Sequence, residues 1–118
     1  QYSQENGFTY NANPYIEIRY AEVLLLKAEA LNEWGSTHES EAIRCVNEVR
    51  RRAGHVELNN ATYPATKVNG QSDLRERIRN EYYWEIGGED SMYFHELRWG
   101  TWKDKKFDNN RNGLMQMG

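Results

Sequence analysis

The stretch that decides the fold is RYAEVLLLKAEALNE, residues 19–33, whose apolar side chains recur with the period of an α-helix. At about 100° per residue, small and apolar side chains share one arc of about 140°. They are Ile18, Ala21, Leu24, Leu25, Ala28 and Leu31. The pattern predicts a helix from about Tyr15 to Trp34, ended by Gly35.

The remaining surface of this first helix is also largely apolar, because it carries Val23, Leu26 and Ala30. Only a narrow polar strip is left. It consists of Arg19, Glu22, Glu29 and Glu33. A helix with so little polar surface is expected to be covered by protein on more than one side.

A second helix is predicted from Thr37 or Glu39 to Ala53, where Gly54 stops it. Ser36 or Thr37 can cap its first turn. Its apolar stripe is formed by Ala42, Val46, Val49 and Ala53, with Ile43 beside it. Because only about three residues join the two helices, they are expected to lie antiparallel, as one helical hairpin of about 35 residues.

Residues 54–71 show no helical period, so this long connection is either a functional loop or a packed irregular segment. A third helix is predicted from Ser72 to Ile86, and a shorter fourth helix from Ser91 to Trp99. The apolar stripe of the third helix is Leu74, Ile78, Tyr82 and Ile86. The expected fold is therefore all-α, with two TPR-like antiparallel helix pairs and a long irregular loop.

Three parts are expected along the chain: an extended lead-in at 1–14, the helical segment at 15–102 and a polar tail at 103–118. The polar ends indicate a piece of a larger α-helical protein. A formal net charge of −3 and a pI of about 5.6 provide no basic field for nucleic acid. The single cysteine, Cys45, excludes an internal disulfide and is expected to be a buried apolar side chain.

No residue pattern predicts catalysis, a metal site or a cofactor. The histidines lack the spacing of an HExxH motif, and no acid, base and nucleophile set can be assembled. Glu89 and Asp90 precede the fourth helix, where acids favour its positive end. The three arginines at 50–52 could bind an anionic ligand, but dipole and salt-bridge partners are the favoured interpretation at a helix C-terminus.

The stretch SMYFHELRWGTW, residues 91–102, is unusually rich in aromatic rings. On a helix, Tyr93, Phe94 and Leu97 form one stripe, which we expect to be core against the third helix. A second stripe, with His95, Trp99 and Trp102, lies about 150° away. Its rings could be packed inside the protein, form an interface or stack on a ligand such as a sugar, and packing is the favoured alternative.

Several blocks of this sequence resemble the C-terminal part of the SusD/RagB family in order and spacing. They are RYAEVLLLKAEALNE at 19–33, NEVRRRAG at 47–54, LRERIRNE at 74–81, the acidic turn at Glu89 and Asp90, and FHELRWG at 94–100. The resemblance covers roughly residues 15–102. The chain departs from the usual family pattern in three places: Tyr82 and Tyr83 replace two arginines, Asp90 replaces a glycine, and Glu96 replaces an aspartate.

The resemblance implies a binding protein and not an enzyme. It also implies a helical lipoprotein on the outer-membrane surface that binds glycans, or peptides in some branches of the family. They deliver the ligand to a SusC-like TonB-dependent transporter. In this family the lipid anchor is at the mature N-terminus, so Cys45 is not that anchor. The segment would then serve mainly as scaffold.

No ligand residue carries over by motif. The residues themselves suggest two candidate ligand-binding rings, Trp102 just past Gly100 and Tyr63 in the long connection. The alternative function is a TPR-like adaptor that binds a partner peptide in the groove between its helices.

Overall fold

The computed structural model describes residues 19–102, and within this range the protein contains helices and turns and no strand. The four helices are α1, Tyr20–Trp34; α2, Glu39–Arg52; α3, Gly70–Ile86; and α4, Ser91–Trp99. Short 3₁₀ turns at Ser36–His38 and Pro64–Thr66 lie in the connections. The predicted all-α fold class is confirmed. The lead-in at 1–14 and the tail at 103–118 lie outside the described residues.

The observed helix ends lie within about five residues of the predicted ones, but the residues predicted as N-terminal caps are wrong. Arg19 is extended, so α1 begins at Tyr20, while residues 15–18 lie outside the described range. Ser36 and Thr37 belong to the 3₁₀ turn and cap nothing, because His38 occupies the N-cap position of α2. The third helix begins at Gly70, two residues before the serine expected to cap it.

The C-terminus of α2 is closed as its glycine predicts. Gly54 adopts a φ of +81°, a left-handed backbone conformation that residues with a Cβ rarely take. Its N–H donates to the Arg51 carbonyl at 3.1 Å, and the His55 N–H donates to the Arg50 carbonyl at 2.8 Å. These two bonds form a Schellman motif, which satisfies carbonyls that the helix cannot pair.

The core lies where α1, α2 and α3 meet, and the predicted stripes of these helices are buried in it. Its fully enclosed side chains include Leu25, Ala28, Ala42, Val46, Leu74 and Tyr82. Cys45 is 1% exposed, as expected, and burial raises the pKa of its thiol. Ala53, in contrast, is exposed, because it follows the last turn of α2.

The apolar residues on the outer face of α1 remain partly exposed among the described residues. Val23 is 47% exposed and Leu26 is 36% exposed. Helix α1 is covered on a second side as expected, but on its polar strip, where α4 contacts Glu22 and Glu29.

The connection between α2 and α3 is a packed irregular segment. The Asn47 side chain holds Leu58 by both backbone groups: Oδ1 accepts its N–H at 2.6 Å and Nδ2 donates to its carbonyl at 3.2 Å. Leu58 and Val68 are buried in the core, at 4% and 9% exposure. The Arg77 guanidinium donates to the carbonyls of Ala65 and Lys67. The sequence left a functional loop open as an alternative, and these bonds favour the packed one.

We expect Leu25→Ala to lower the free energy of unfolding by about 2–5 kcal/mol, because the Leu25 side chain is 0% exposed and its loss leaves a cavity. Leu26→Ala is the matched control. Leu26 is partly exposed, so its truncation should cost less than about 1 kcal/mol. Urea titration followed by circular dichroism measures both. Equal losses in the two variants would contradict the facing of α1.

Candidate functional site

Helix α4 presents the opposite face to the core from the one expected. Phe94 is 62% exposed and Leu97 is 46% exposed, so their assignment to the core is wrong. The buried residues are Met92, His95 and Glu96. The physical reason is that the polar residues of α4 find partners on α1 and α3, and this pairing removes the penalty for burying them.

The first of these pairs joins α4 to α1. Nε2 of His95 lies 2.6 Å from Oε2 of Glu22, and both side chains are more than nine-tenths buried. Nδ1 of His95 lies 2.8 Å from the Arg98 guanidinium, which can only donate. Nδ1 must therefore accept, so the proton sits on Nε2 and His95 donates it to Glu22. The Tyr82 ring packs 4.4 Å from the imidazole.

The second contact between α4 and α1 centres on Glu29, whose carboxylate accepts hydrogen bonds from three side chains. Arg98 donates twice, at 2.7 and 3.1 Å, the Trp99 indole N–H donates at 2.9 Å, and the Tyr82 hydroxyl donates at 3.2 Å. Burial by itself would raise the pKa of Glu29, but these bonds and the charge of Arg98 outweigh it and hold the pKa below its usual value of 4.5.

Trp99 is packed against the protein, as the favoured interpretation predicted. Its ring meets Tyr82 edge-on, with ring centres 5.1 Å apart, and the Arg79 guanidinium lies 5.0 Å from its centre. The indole N–H is used by Glu29. The polar residues of the FHELRWG block, His95, Glu96 and Arg98, are therefore all engaged by partners on α1 and α3.

Two of the three arginines at the end of α2, Arg50 and Arg51, act as salt-bridge partners, which is the favoured interpretation. Arg50 pairs with Glu81 at 2.7 Å, and the Glu81 side chain is 2% exposed. Burial raises the pKa of Glu81, and the hydrogen bond from Arg50 opposes part of that rise. Arg51 pairs with Glu57 at 2.9 Å on the surface.

Glu85 and Glu89, which precede α4, both pair with the same basic side chain. Arg19 pairs with Glu85 at 3.3 Å and with Glu89 at 3.1 Å. Among residues 19–102, no group of three metal-ligating side chains is close enough to hold an ion. In the same range, none of the helices combines the length and the apolar character that crossing a membrane requires.

The two candidate ligand rings lie on different segments. Tyr63 is 51% exposed on the α2–α3 connection, where its carbonyl accepts from the Thr66 N–H and hydroxyl. Trp102 follows α4 and is half-buried, with its ring edge-on to Tyr93 at 5.6 Å. Their roles in ligand binding stay predictions.

Trp84 is an exposed ring that the sequence patterns did not indicate. Trp84 on α3 is 62% exposed and lines a cavity of about 670 Å³ beside the end of α2. Its position was hidden because Trp84 lies outside the apolar stripe of α3, where an aromatic residue has no sequence signature of its own.

Comparison with known proteins places this arrangement of helices in a family. A model of the SusD family matches the chain over residues 1–118. The chain belongs to the SusD family. SusD-like protein P38 of Formosa agariphila is 36% identical over 84 residues, which are 70% of this chain and 16% of that protein. SusD-like protein P25 of the same organism is 34% identical over 91 residues, 75% of this chain and 16% of that protein.

A shorter match, to SusD-like protein P2 of Formosa agariphila, is 56% identical over 48 residues, 41% of this chain and 9% of that protein. The chain thus spans about a sixth or less of the length of the relatives it matches. No solved structure matches the chain.

Tyr83 and Glu96, which the family resemblance marked as departures from its pattern, contact each other. The Tyr83 hydroxyl donates to the Glu96 carboxylate at 2.7 Å. Burial, followed by this hydrogen bond to a negative partner, raises the pKa of Tyr83 to about 12. Tyr83 of α3 and Glu96 of α4 therefore form one contact between these two helices.

Because folding lowers the pKa of Glu29, its ionised form adds stability that is fully present above the ordinary value of 4.5 and is lost as the pH falls through the folded-state pKa. We expect Glu29→Gln to lower the free energy of unfolding by about 1–3 kcal/mol at neutral pH. The difference from the wild type should shrink below pH 4.5.

Urea titrations from neutral pH down to about pH 3 measure this effect. Glu76→Gln, on the exposed side of α3, is the control and should show little change at any pH. A difference for Glu29→Gln that stays constant over the whole range would contradict a role for the ionised carboxylate.

Proposed function

We propose that this chain is the scaffold segment of a SusD-type protein that captures glycans at the cell surface and delivers them to a SusC-like TonB-dependent transporter. Membership in the SusD family supports glycan capture. The scaffold role is supported by the single observation that the polar residues of α4 are engaged by α1 and α3. A side chain held by internal partners, such as His95 or Arg98, has little left to offer a ligand.

Binding, and not catalysis, is the activity that this arrangement supports. Among the described residues, the buried carboxylates and imidazole each have a short contact to an internal partner: Glu22, Glu81, His95 and Glu96. Chemistry on a substrate would require at least one such group to face a cavity. Their pairing favours a protein whose activity is recognition.

We propose a surface location on the outer membrane through a lipid anchor. Cys45 does not supply the anchor, because its side chain is 1% exposed within the core. The anchor would therefore lie on another residue of the whole protein. The division of the chain at residues 15 and 102 stays part of this proposal.

The exposed apolar side chains of α1 and α4 support contact with further protein. Tyr93 and Phe94 are 45% and 62% exposed, and their rings meet edge-on at 5.5 Å. Exposed aromatic clusters are typical of interfaces. Other parts of the protein or its transporter could cover them.

Affinity electrophoresis of the full-length protein against a panel of polysaccharides tests the proposed function. We expect retarded migration in at least one polysaccharide gel, relative to a non-binding protein of similar size. A peptide panel follows, because the family resemblance allows a peptide as the cargo. A folded protein, verified by circular dichroism, that binds neither class would contradict the proposal.

Trp102 and Tyr63 are proposed as ligand-contacting rings, and alanine variants of the full-length protein test each one. Loss of one stacked ring should weaken glycan affinity by about two- to tenfold. Thr62→Ala, beside Tyr63 on the same exposed turn, is the control and should bind as the wild type does. Unchanged affinity in both ring variants would remove these two residues from the ligand site.

A further inference from the structure

Two cavities lie at the end of the helical hairpin where α1 begins and α2 and α3 end. The first, of about 370 Å³, lies beside Arg19, Tyr20, Arg52 and Glu85. The second, of about 670 Å³, is lined by Arg50, Gly54, His55, Val56 and Trp84. Their linings are neighbours along the chain: Ala53 and Glu85 line the first, and Gly54 and Trp84 line the second. We call the two together the hairpin-end cleft.

Each half of the hairpin-end cleft contains an exposed aromatic ring with an arginine beside it. The Arg52 guanidinium lies 5.6 Å from the centre of the Tyr20 ring, and Tyr20 is 56% exposed. The Arg50 guanidinium lies 5.8 Å from the centre of the Trp84 ring. Such cation–π contacts orient a ring, and both rings remain more than half exposed.

The Trp84 half is the more rigidly built. Arg50 Nε donates to the Val56 carbonyl at 2.5 Å, and Nη1 is bound to Glu81 at 2.7 Å. The His55 ring meets Trp84 edge-on, with ring centres 6.0 Å apart. A preorganised aromatic surface loses little conformational entropy when a ligand binds.

Charges around the hairpin-end cleft are nearly balanced, which limits the class of ligand. Arg50 is neutralised by Glu81, and Arg19 by Glu85 and Glu89. Arg52 lies at the C-terminal, negative end of the α2 dipole. A polyanion would therefore gain little here, whereas an uncharged ligand with hydroxyl groups finds both donors and acceptors.

An uncharged sugar fits this combination. The apolar face of a pyranose ring stacks on an indole, while its hydroxyls bond to guanidinium, imidazole and carboxylate groups. The volume of the Trp84 half is within the range of about 300–1,000 Å³ for small-ligand sites. We propose that the hairpin-end cleft is a binding subsite for a neutral oligosaccharide, with Trp84 as the main stacking platform and Tyr20 as the second. This inference rests on the proposed glycan capture.

Calorimetric titration of the full-length protein tests the subsite, using the neutral oligosaccharide that matches its best polysaccharide. We expect Trp84→Ala to weaken binding by about tenfold or more, and Trp84→Phe, which keeps a smaller ring, to weaken it less. Tyr20→Ala should weaken binding by a smaller factor than Trp84→Ala. Binding should change little with added salt, since no net charge is neutralised.

Trp34→Ala is the matched control. Trp34 is also an exposed tryptophan, 74% exposed and stacked on His38, but it lies at the opposite end of α1, about 20 Å away. The Trp34→Ala variant should bind the oligosaccharide as the wild type does. An equal loss in the Trp34 and Trp84 variants would overturn the subsite, because the effect would not be local.

The remaining outcomes separate this inference from the proposed function. If the wild type binds a glycan and Trp84→Ala binds it equally well, the subsite is overturned and glycan capture stands. If the wild type binds no glycan, both are overturned. If only an acidic polysaccharide or a peptide binds at Trp84, the neutral class of ligand is wrong.

Discussion

The arrangement of the third and fourth helices depends on two carboxylates of α1, Glu22 and Glu29, that are removed from most of the solvent. A buried charge without a partner costs several kcal/mol, on the order of 3–5 when one member of a buried pair is lost. Their partners come from elements about 50 to 70 residues further along the chain: His95, Arg98 and Trp99 on α4 and Tyr82 on α3. Satisfying these carboxylates positions α4 on the hairpin.

This constraint explains why α4 turns its rings outward. The helix has a face that can pair with α1 and α3 and a face that is mainly aromatic and aliphatic, and only one can point inward. Because the partners are charged, the pairing face is buried, and Tyr93, Phe94 and Leu97 remain at the surface. The surface that results is apolar, which suits a segment that contacts further protein.

The first three helices could be read from the sequence because their apolar stripes have the helical period and glycines stand at their ends. The packed connection could not, because Asn47 anchors Leu58 by hydrogen bonds that leave no periodic signal. The facing of α4 was misjudged for a related reason. Hydrophobicity predicts burial only when polar residues lack partners, and a partner on α1 is invisible from α4 alone. The exposed Trp84 was likewise hidden, since its neighbours Arg50 and His55 lie on another element.

The sequence by itself determined the all-α class, the approximate extent of the helices, the antiparallel hairpin of α1 and α2, and the family resemblance. These follow from local periodicity, short connections and ordered motifs, which are properties of neighbouring residues. Only the tertiary structure decided which face of α4 is buried, how Tyr83 meets Glu96, and where a cleft opens at the hairpin end. Those features depend on the distance between residues far apart in the chain, and electrostatic pairing and cavity shape are set by that distance.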